Sequence, residues 1–329
     1  LKHKALVLLS GGLDSTLAAS IMLKQGIELE AVNFITPFCT CTRTKGCKYE
    51  AKRVAKELGI PLKVFSNFKE YIKVIKNPKY GYGRGINPCI DCRIFIFKKA
   101  KAYMKEANAS FIITGEVLGQ RPMSQHRRAM EIIDNESGLT GLVLRPLSAK
   151  LLKPTIPEEK GWVNREALLN ISGRRRLPQI ALAKELDINE YPCPAGGCLL
   201  TDPHFSKRMK DLLKYTKNPT LNDISLLKIG RHFRLNEELK VIVGRNEREN
   251  KILSLLGRND IILSVVNGKG AVVILKGKIN QTSLLKSASI AAWYSDSKGI
   301  SDIKVIGPCF EKVIKIAPID KKGLEGLRI

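Results

Sequence analysis

Residues 5–16 read ALVLLSGGLDST. An unbroken apolar run, 5–9, stops at Ser10, Gly11 and Gly12. Asp14 and Ser15 follow, and an apolar helical pattern begins at Leu17. A strand that turns sharply into a helix points free backbone N–H groups outward, and the helix N-terminus adds a partial positive charge, so the corner is suited to phosphate. Gly11 and Gly12 let the backbone approach an anion with no Cβ in the way. Ser10 and Ser15 offer hydroxyls, and Asp14 can bind Mg²⁺ or cap the helix. The stretch is neither a Walker loop, which needs G-x-x-x-x-G-K-[ST], nor a Rossmann fingerprint, G-x-G-x-x-G.

The pattern repeats outward from this corner. Strands are expected at 5–9, 29–34, 62–65, 111–114 and 142–145, with helices at 14–24, 48–58 and 94–106 between them. Strands alternating with helices imply an α/β fold with a doubly wound, mostly parallel sheet, whose ligands bind beyond the carboxyl ends of the strands. Pro154, Pro157 and Gly161 interrupt the alternation, and a helix is expected over 174–186. A helix at 205–215 then leads into short β-rich runs at 240–243, 261–266 and 271–275. The chain therefore reads as two domains, 1–203 and 204–329, the second a smaller α+β unit.

Composition narrows the partners. The chain has 329 residues and a formal net charge of +25. Such an excess favours a polyanion, and nucleic acid above all, because each neutralised phosphate releases counterions. The opening residues lack the order of a signal peptide, and no apolar run approaches the ~18 residues of a membrane span. The expectation is a cytoplasmic protein with no membrane partner. In that compartment eight cysteines suggest metal binding or sulfur chemistry rather than disulfides. They fall as Cys39, Cys41 and Cys47, then Cys89 and Cys92, then Cys193 and Cys198, with Cys309 alone.

Three segments carry chemistry. NPCIDC, 87–92, sets Cys89 and Cys92 at C-x-x-C spacing near the start of a helix. Two thiolates so placed can share a metal or cluster, or form a redox pair whose pKa the helix N-terminus lowers. PAGGCLLTDP, 194–203, presents Cys198 after two glycines. TGEVLGQ, 114–120, is a Gly-flanked polar loop after a strand, which by itself could also be a plain connection. C-x-C-x₅-C at Cys39, Cys41 and Cys47 supplies three metal ligands and would need a fourth; a loop without metal fits it as well.

SGGLDS, 10–15, resembles the S-G-G-x-D-S loop of the PP-loop ATP pyrophosphatases, and TGEVLGQ resembles a segment of the tRNA 4-thiouridine synthetases. The resemblance implies that Ser10, Gly11, Gly12, Asp14, Ser15, Phe34, Gly115 and Gln120 bind ATP with Mg²⁺. It implies adenylation of a nucleobase carbonyl oxygen, then attack by sulfur and release of AMP. By the same resemblance Cys89, Cys92 and Cys198 take the positions of three thiolates that hold a [4Fe–4S] cluster. The two-cysteine plan of the tRNA 2-thiouridylases, in which counterparts of Cys92 and Cys198 alternate between nucleophile and persulfide, is also matched. The sulfur donor would be a cysteine desulfurase persulfide or free sulfide.

For RNA, the run GRRR gives Arg174, Arg175 and Arg176, whose forks suit phosphate oxygens. VIVGRNERENKIL, 241–253, resembles the RNA-binding domain of the NFACT family through Gly244, Arg245, Asn246 and Asn250. The expected activity is thus tRNA thiolation, with a homodimer allowed. Two rivals are a PP-loop ligase or amidotransferase using nitrogen as nucleophile, and a non-catalytic RNA-binding protein.

Overall fold

A computed structural model describes residues 3–39, 47–191, 197–266, 268–296 and 299–329. The chain divides into two compact units, Leu1–Asp202 and Pro203–Ile329.

The first unit runs β1 (Lys4–Leu8), α1 (Leu13–Lys24), β2 (Glu28–Phe34), α2 (Cys47–Glu57), β3 (Leu62–Phe65), α3 (Phe68–Lys76), α4 (Cys89–Glu106), β4 (Phe111–Thr114), α5 (Arg127–Glu136), β5 (Val143–Leu144), α6 (Ile156–Glu159) and α7 (Leu177–Glu185). Its five strands form one sheet in the order β3-β2-β1-β4-β5, all parallel. β1 is central, with Val7 opposite Ala31 on one side and Ile113 on the other. A strand covered on both faces must be apolar at every position, and four of its five residues are buried. Alternate residues supply two cores. Ala5, Val7, Phe111 and Ile113 pack with Leu17 and Met22 of α1 and Val54 of α2. Leu6, Leu8, Ile112 and Val143 pack with Phe97 of α4 and Ile133 of α5. Helices on both faces make this the doubly wound α/β fold that the sequence implies. The strand order reverses at β1, which puts the loops after β1 and β4 side by side where such folds bind ligands.

The second unit runs α8 (Pro203–Tyr215), α9 (Leu221–Leu227), β6 (Arg231–Arg234), β7 (Leu239–Val243), α10 (Glu247–Leu256), β8 (Ile261–Val265), β9 (Val273–Gly277), α11 (Gln281–Trp293), β10 (Ser301–Gly307), β11 (Phe310–Ile316) and α12 (Lys321–Gly326). Its six strands form a separate antiparallel sheet, β11-β10-β8-β9-β7-β6. One face packs on α11 through Leu284, Ala288 and Ala291. The other gathers Ile242 and Ile274 with Leu226 and Leu253. No helix among the described residues is long and apolar enough to cross a membrane.

Several elements differ from their sequence expectations. α3 and α5 are absent from the alternation read in the sequence. Each is a short helix with one narrow apolar stripe, Tyr71, Ile72 and Ile75 in α3 and Ala129, Met130 and Ile133 in α5, set among charges. α4 starts at Cys89 rather than 94 because Asp91 anchors its first turn, accepting hydrogen bonds from the amides of Lys79 (2.8 Å) and Tyr80 (3.0 Å). α7 begins only at Leu177, leaving the arginine run ahead of it.

Candidate active site

The loop after β1 is shaped by its glycines. Gly11 has φ +75°, and a Cβ there would lie 2.5 Å from the Ala51 nitrogen and the Glu50 carbonyl carbon at the start of α2. Gly12 is the N-cap of α1 with no side-chain cap, so the first-turn N–H groups keep their capacity for an anion. Ser15 Oγ donates to Gly12 O at 2.9 Å and lies 3.1 Å from Ser10 Oγ. Asn33 Nδ2 donates to Leu9 O at 2.7 Å, which fixes where the strand ends; nothing in the local sequence marks that role.

The TGEVLGQ loop is packed onto this corner. A Cβ on Gly115 would stand 2.5 Å from the Asp14 carbonyl carbon and 2.6 Å from its oxygen, and closer still to the Ser15 amide. Gln120 Nε2 donates to Asp14 Oδ2 at 2.9 Å. Asp14 Oδ1 is buried with no hydrogen-bond partner, an expensive state for a carboxylate oxygen unless a ligand completes it. That vacancy in its bonding fits a divalent cation, and the donors of the uncapped helix fit phosphate.

Glu116, missed in the sequence, is 3% exposed. It lies 2.7 Å from Arg93 Nη2 and accepts from Arg145 Nε at 3.0 Å. Arg145 also forks onto Asp134 at 2.8 and 2.7 Å. Burial pushes the Glu116 pKa up, but the two arginines outweigh it and hold the carboxyl below its ordinary value. Because Arg93 follows Cys92, this network ties the C-x-x-C helix to the loop that borders Asp14.

Cys89, Cys92 and Cys198 are free thiols, each half-buried. The structure brings them into one electrostatic neighbourhood. Burial pushes the Cys198 thiol up to about 12, with Cys92 and Cys89 adding to the rise. Burial likewise raises Cys89 and Cys92. This corrects the expectation of helix-lowered thiol pKa values at C-x-x-C: loss of solvent outweighs the α4 N-terminus. Tyr71 donates its hydroxyl to Cys92 Sγ at 3.0 Å, and Asn87 Nδ2 donates to Cys89 Sγ at 3.0 Å. The backbone of Cys198 forms an antiparallel β-bridge with that of Cys39, and Leu199 N donates to Phe38 O at 2.8 Å, which places Cys198 against the loop after β2. Cys39 is itself disulfide-bonded, which corrects the expectation of cysteines without disulfides. Three soft donors without a carboxylate among them suit iron–sulfur chemistry. Even so, no group of three His, Cys, Asp or Glu side chains is arranged to hold a metal ion among the described residues. Cys41 and Cys193 lie outside the described residues, as does the side chain of Cys47.

Phe34 is half-buried and stacks on Phe65 with ring centroids 5.2 Å apart. Arg174 and Arg175 are exposed, while Arg176 is partly buried. A cleft of about 530 Å³ opens elsewhere, at the edge strand β5, lined by Asp134 and Arg145 among others; it contains none of the candidate ATP-binding, thiol or RNA-binding residues named from the sequence.

In the second unit the G-R-N motif builds its own turn. Asn246 caps α10, accepting from the Glu249 amide at 3.0 Å. Asn250 Nδ2 donates to Gly270 O at 3.1 Å, and its Oδ1 accepts from Val272 N at 3.0 Å. Gly244 leaves room for the Asn250 amide, which a Cβ would strike. Arg245 pairs with Glu249 through its Nη2 at 2.5 Å and stays half-exposed.

Residues 1–155 match the family model described as thiamine biosynthesis protein (ThiI), and residues 230–325 match the NFACT protein RNA binding domain. Among curated relatives, the tRNA-specific 2-thiouridylase MnmA of Leptospira interrogans is 33% identical over 118 residues, 31% of this chain and 32% of its own. The probable tRNA sulfurtransferase of Staphylococcus epidermidis is 30% identical over 148 residues, 44% of this chain and 34% of its own. The chain thus spans about a third of the length of these relatives. Among solved structures, a 4-thiouridine synthetase–RNA complex with bound ATP aligns with TM-score 0.40 at 22% identity, covering 69% of this chain and 52% of that one. The U34-tRNA thiolase NcsA from Methanococcus maripaludis with its [4Fe-4S] cluster aligns with TM-score 0.33 at 19% identity, covering 69% and 70%. The first part of the chain is therefore similar to ThiI and to parts of a tRNA 2-thiouridylase and a probable tRNA sulfurtransferase, and the second part to the NFACT protein RNA binding domain.

Proposed function

We propose that this protein is an ATP-dependent tRNA sulfurtransferase. The observation that carries the reading is the electrostatic coupling of three free thiols, Cys89, Cys92 and Cys198, in a domain whose central strand ends in a glycine corner with an unpartnered Asp14 oxygen. The names of the curated relatives, a 2-thiouridylase and a sulfurtransferase, support it.

A pyrimidine carbonyl is a poor electrophile. ATP would bind with its phosphates on the N–H groups of Gly11–Ser15 and with Mg²⁺ on Asp14, bordered by Gly115 and Gln120, with Phe34 beside the base. Attack of the carbonyl oxygen on the α-phosphate breaks the α–β bond, forms the adenylated base and expels pyrophosphate. The loop donors stabilise the charge that develops on phosphate. A sulfur nucleophile then adds at the ring carbon, and AMP departs with the former carbonyl oxygen. The sulfur must be anionic to attack near neutral pH, whereas burial raises the pKa of all three thiols and so opposes the thiolate. Sulfur activation therefore has to come from what the thiols bind or carry. Cys89, Cys92 and Cys198 would hold a [4Fe–4S] cluster, which supplies an iron open to sulfide; a persulfide on Cys198 or Cys92 satisfies the same need. Tyr71 and Asn87 orient the two sulfurs of α4. Sulfide would serve the cluster route. In the persulfide route the cysteine thiol would take its outer sulfur from a desulfurase persulfide by exchange. Once that sulfur has bonded the ring carbon, the other thiol of the Cys92–Cys198 pair would break the S–S bond, releasing the thionucleoside and leaving a disulfide for an external thiol to reduce.

The second domain would hold the tRNA, with Arg245 its exposed contact and Gly244, Asn246 and Asn250 shaping the turn that presents it. Arg174 and Arg175 add phosphate contacts on the first domain. The test is mass analysis of tRNA nucleosides from a deletion strain. Loss of one thionucleoside, restored by the wild-type gene and not by C198A, is the expected result; an unchanged thionucleoside profile overturns the proposal.

A further inference from the structure

The arginine run 174–176 reads in the sequence as one basic group. The structure separates its third member. Gly173 N donates to Leu118 O at 2.7 Å, and Leu118 bridges Ser172, so the run begins docked on the TGEVLGQ loop. Arg176 is the N-cap of α7, and Gln179 is three residues further on. Gln179 is fully buried, and its Nε2 lies 3.4 Å from Gln120 Oε1. Gln120 in turn donates to Asp14 Oδ2.

The direction of this relay is fixed by the carboxylate. Asp14 accepts, so Gln120 must present its nitrogen there and its oxygen to Gln179, and Gln179 must answer with its own nitrogen. The relay therefore ends on Gln179 Oε1, a buried acceptor with no donor. One turn away Arg176 Nε is a buried donor with no acceptor. Asp14 Oδ1 is the third unpartnered atom. Asp14 Oδ1 and Gln179 Oε1 are orphaned acceptors at the two ends of the relay, and Arg176 Nε is an orphaned donor at the N-cap of the helix that carries Gln179; two acceptors and one cationic donor match a metal-bound polyphosphate. The acceptors suit water or hydroxyl groups around the cation, and the guanidinium suits phosphate oxygens.

Building on the sulfurtransferase reading, we propose that Arg176 binds the β- and γ-phosphates of ATP and that Gln179 is a positioning residue acting through Gln120 on Asp14. The basic run then has two duties: Arg174 and Arg175 face RNA, and Arg176 faces the nucleotide. Arg176 would hold the pyrophosphate while the α–β bond breaks.

The test uses the full chain and compares wild type with R176A, R176K, Q179L and the double variant R174A/R175A. Affinities for ATP, AMP and tRNA are measured by calorimetry and filter binding. R176A should weaken ATP about tenfold or more, as expected on losing a charged phosphate contact, while AMP and tRNA affinities stay within twofold. R176K should recover part of the loss, and Q179L should weaken Mg·ATP without changing AMP. R174A/R175A should weaken tRNA and spare ATP. A merely structural role for Arg176 would depress ATP and AMP together. Equal loss of both, or loss of tRNA binding with ATP unchanged, overturns the inference. If the wild type itself fails to bind Mg·ATP, the sulfurtransferase reading falls and takes this assignment with it.

Discussion

Gly115→Ala should damage both the fold and the reaction, and the size of each effect follows from one contact. The added Cβ would lie 2.5 Å from the Asp14 carbonyl carbon. Ordinary carbon–carbon contact needs roughly 3.5 Å, so β4 and the start of α1 must separate by about 1 Å. Both are central: Thr114 is 1% exposed, and Ser15 5%. Neither side can yield cheaply, because Leu8 and Thr114 are paired in the sheet and Ser15 is bonded to the loop. Overpacking of this kind costs about 1–3 kcal/mol. The same displacement shifts Asp14 relative to Gln120, and a 1 Å error in a reacting site costs on the order of 10²-fold in rate. Gly12→Ala is the control. Its Cβ would meet only Ser10 Oγ, at 3.5 Å, and its φ of −83° suits alanine, so its stability should stay within about 0.5 kcal/mol of wild type. Urea unfolding of both variants and AMP formation by Gly115→Ala read the two effects. Unchanged unfolding and unchanged turnover in Gly115→Ala would refute the packing argument.

Further outcomes follow from buried groups. Arg145→Met leaves Glu116 and Asp134 without their shared cation and should cost about 3–5 kcal/mol in urea unfolding of the first unit. Asn250→Ala removes two bonds to the backbone of the segment before β9 and should cost about 1–3 kcal/mol, read as a lower unfolding midpoint of the second unit. Lys240 is 5% exposed, and burial lowers its pKa from 10.5 to about 8 against the pull of Asp211. Between those values the unfolded chain binds more protons than the folded one. The second unit should therefore gain up to about 3 kcal/mol as pH rises from 8 to 10.5, a gain that K240M should lack.

The first domain was legible where burial and backbone geometry leave a local trace. The run 5–9, the two glycines and the helical pattern after them show the central strand and its corner, since a strand covered on both faces has to be apolar throughout. TGEVLGQ was legible as a loop at a strand end. What escaped were elements and residues whose roles depend on distant partners. α3 and α5 carry only three buried residues each, too thin a stripe among charges to stand out. Glu116 reads as one more polar residue until Arg93 and Arg145 arrive from other elements. Tyr71 reads as an apolar-face residue, and only the fold brings its hydroxyl to Cys92. The arginine run looked uniform because spacing along a chain does not show which member faces solvent. Asn250 was found through the NFACT motif, yet its two bonds to the backbone of Gly270 and Val272 become visible only with the sheet assembled.

The most direct measurement of the central claim is made with the purified chain, unmodified tRNA, Mg·ATP and sulfide under anaerobic conditions. AMP and thionucleoside are quantified together. The account predicts one AMP for each thionucleoside formed, no AMP when tRNA is omitted, and no thionucleoside from C198A. Thionucleoside formed at the wild-type rate by C198A, or AMP formed with no sulfur in the tRNA, would contradict it.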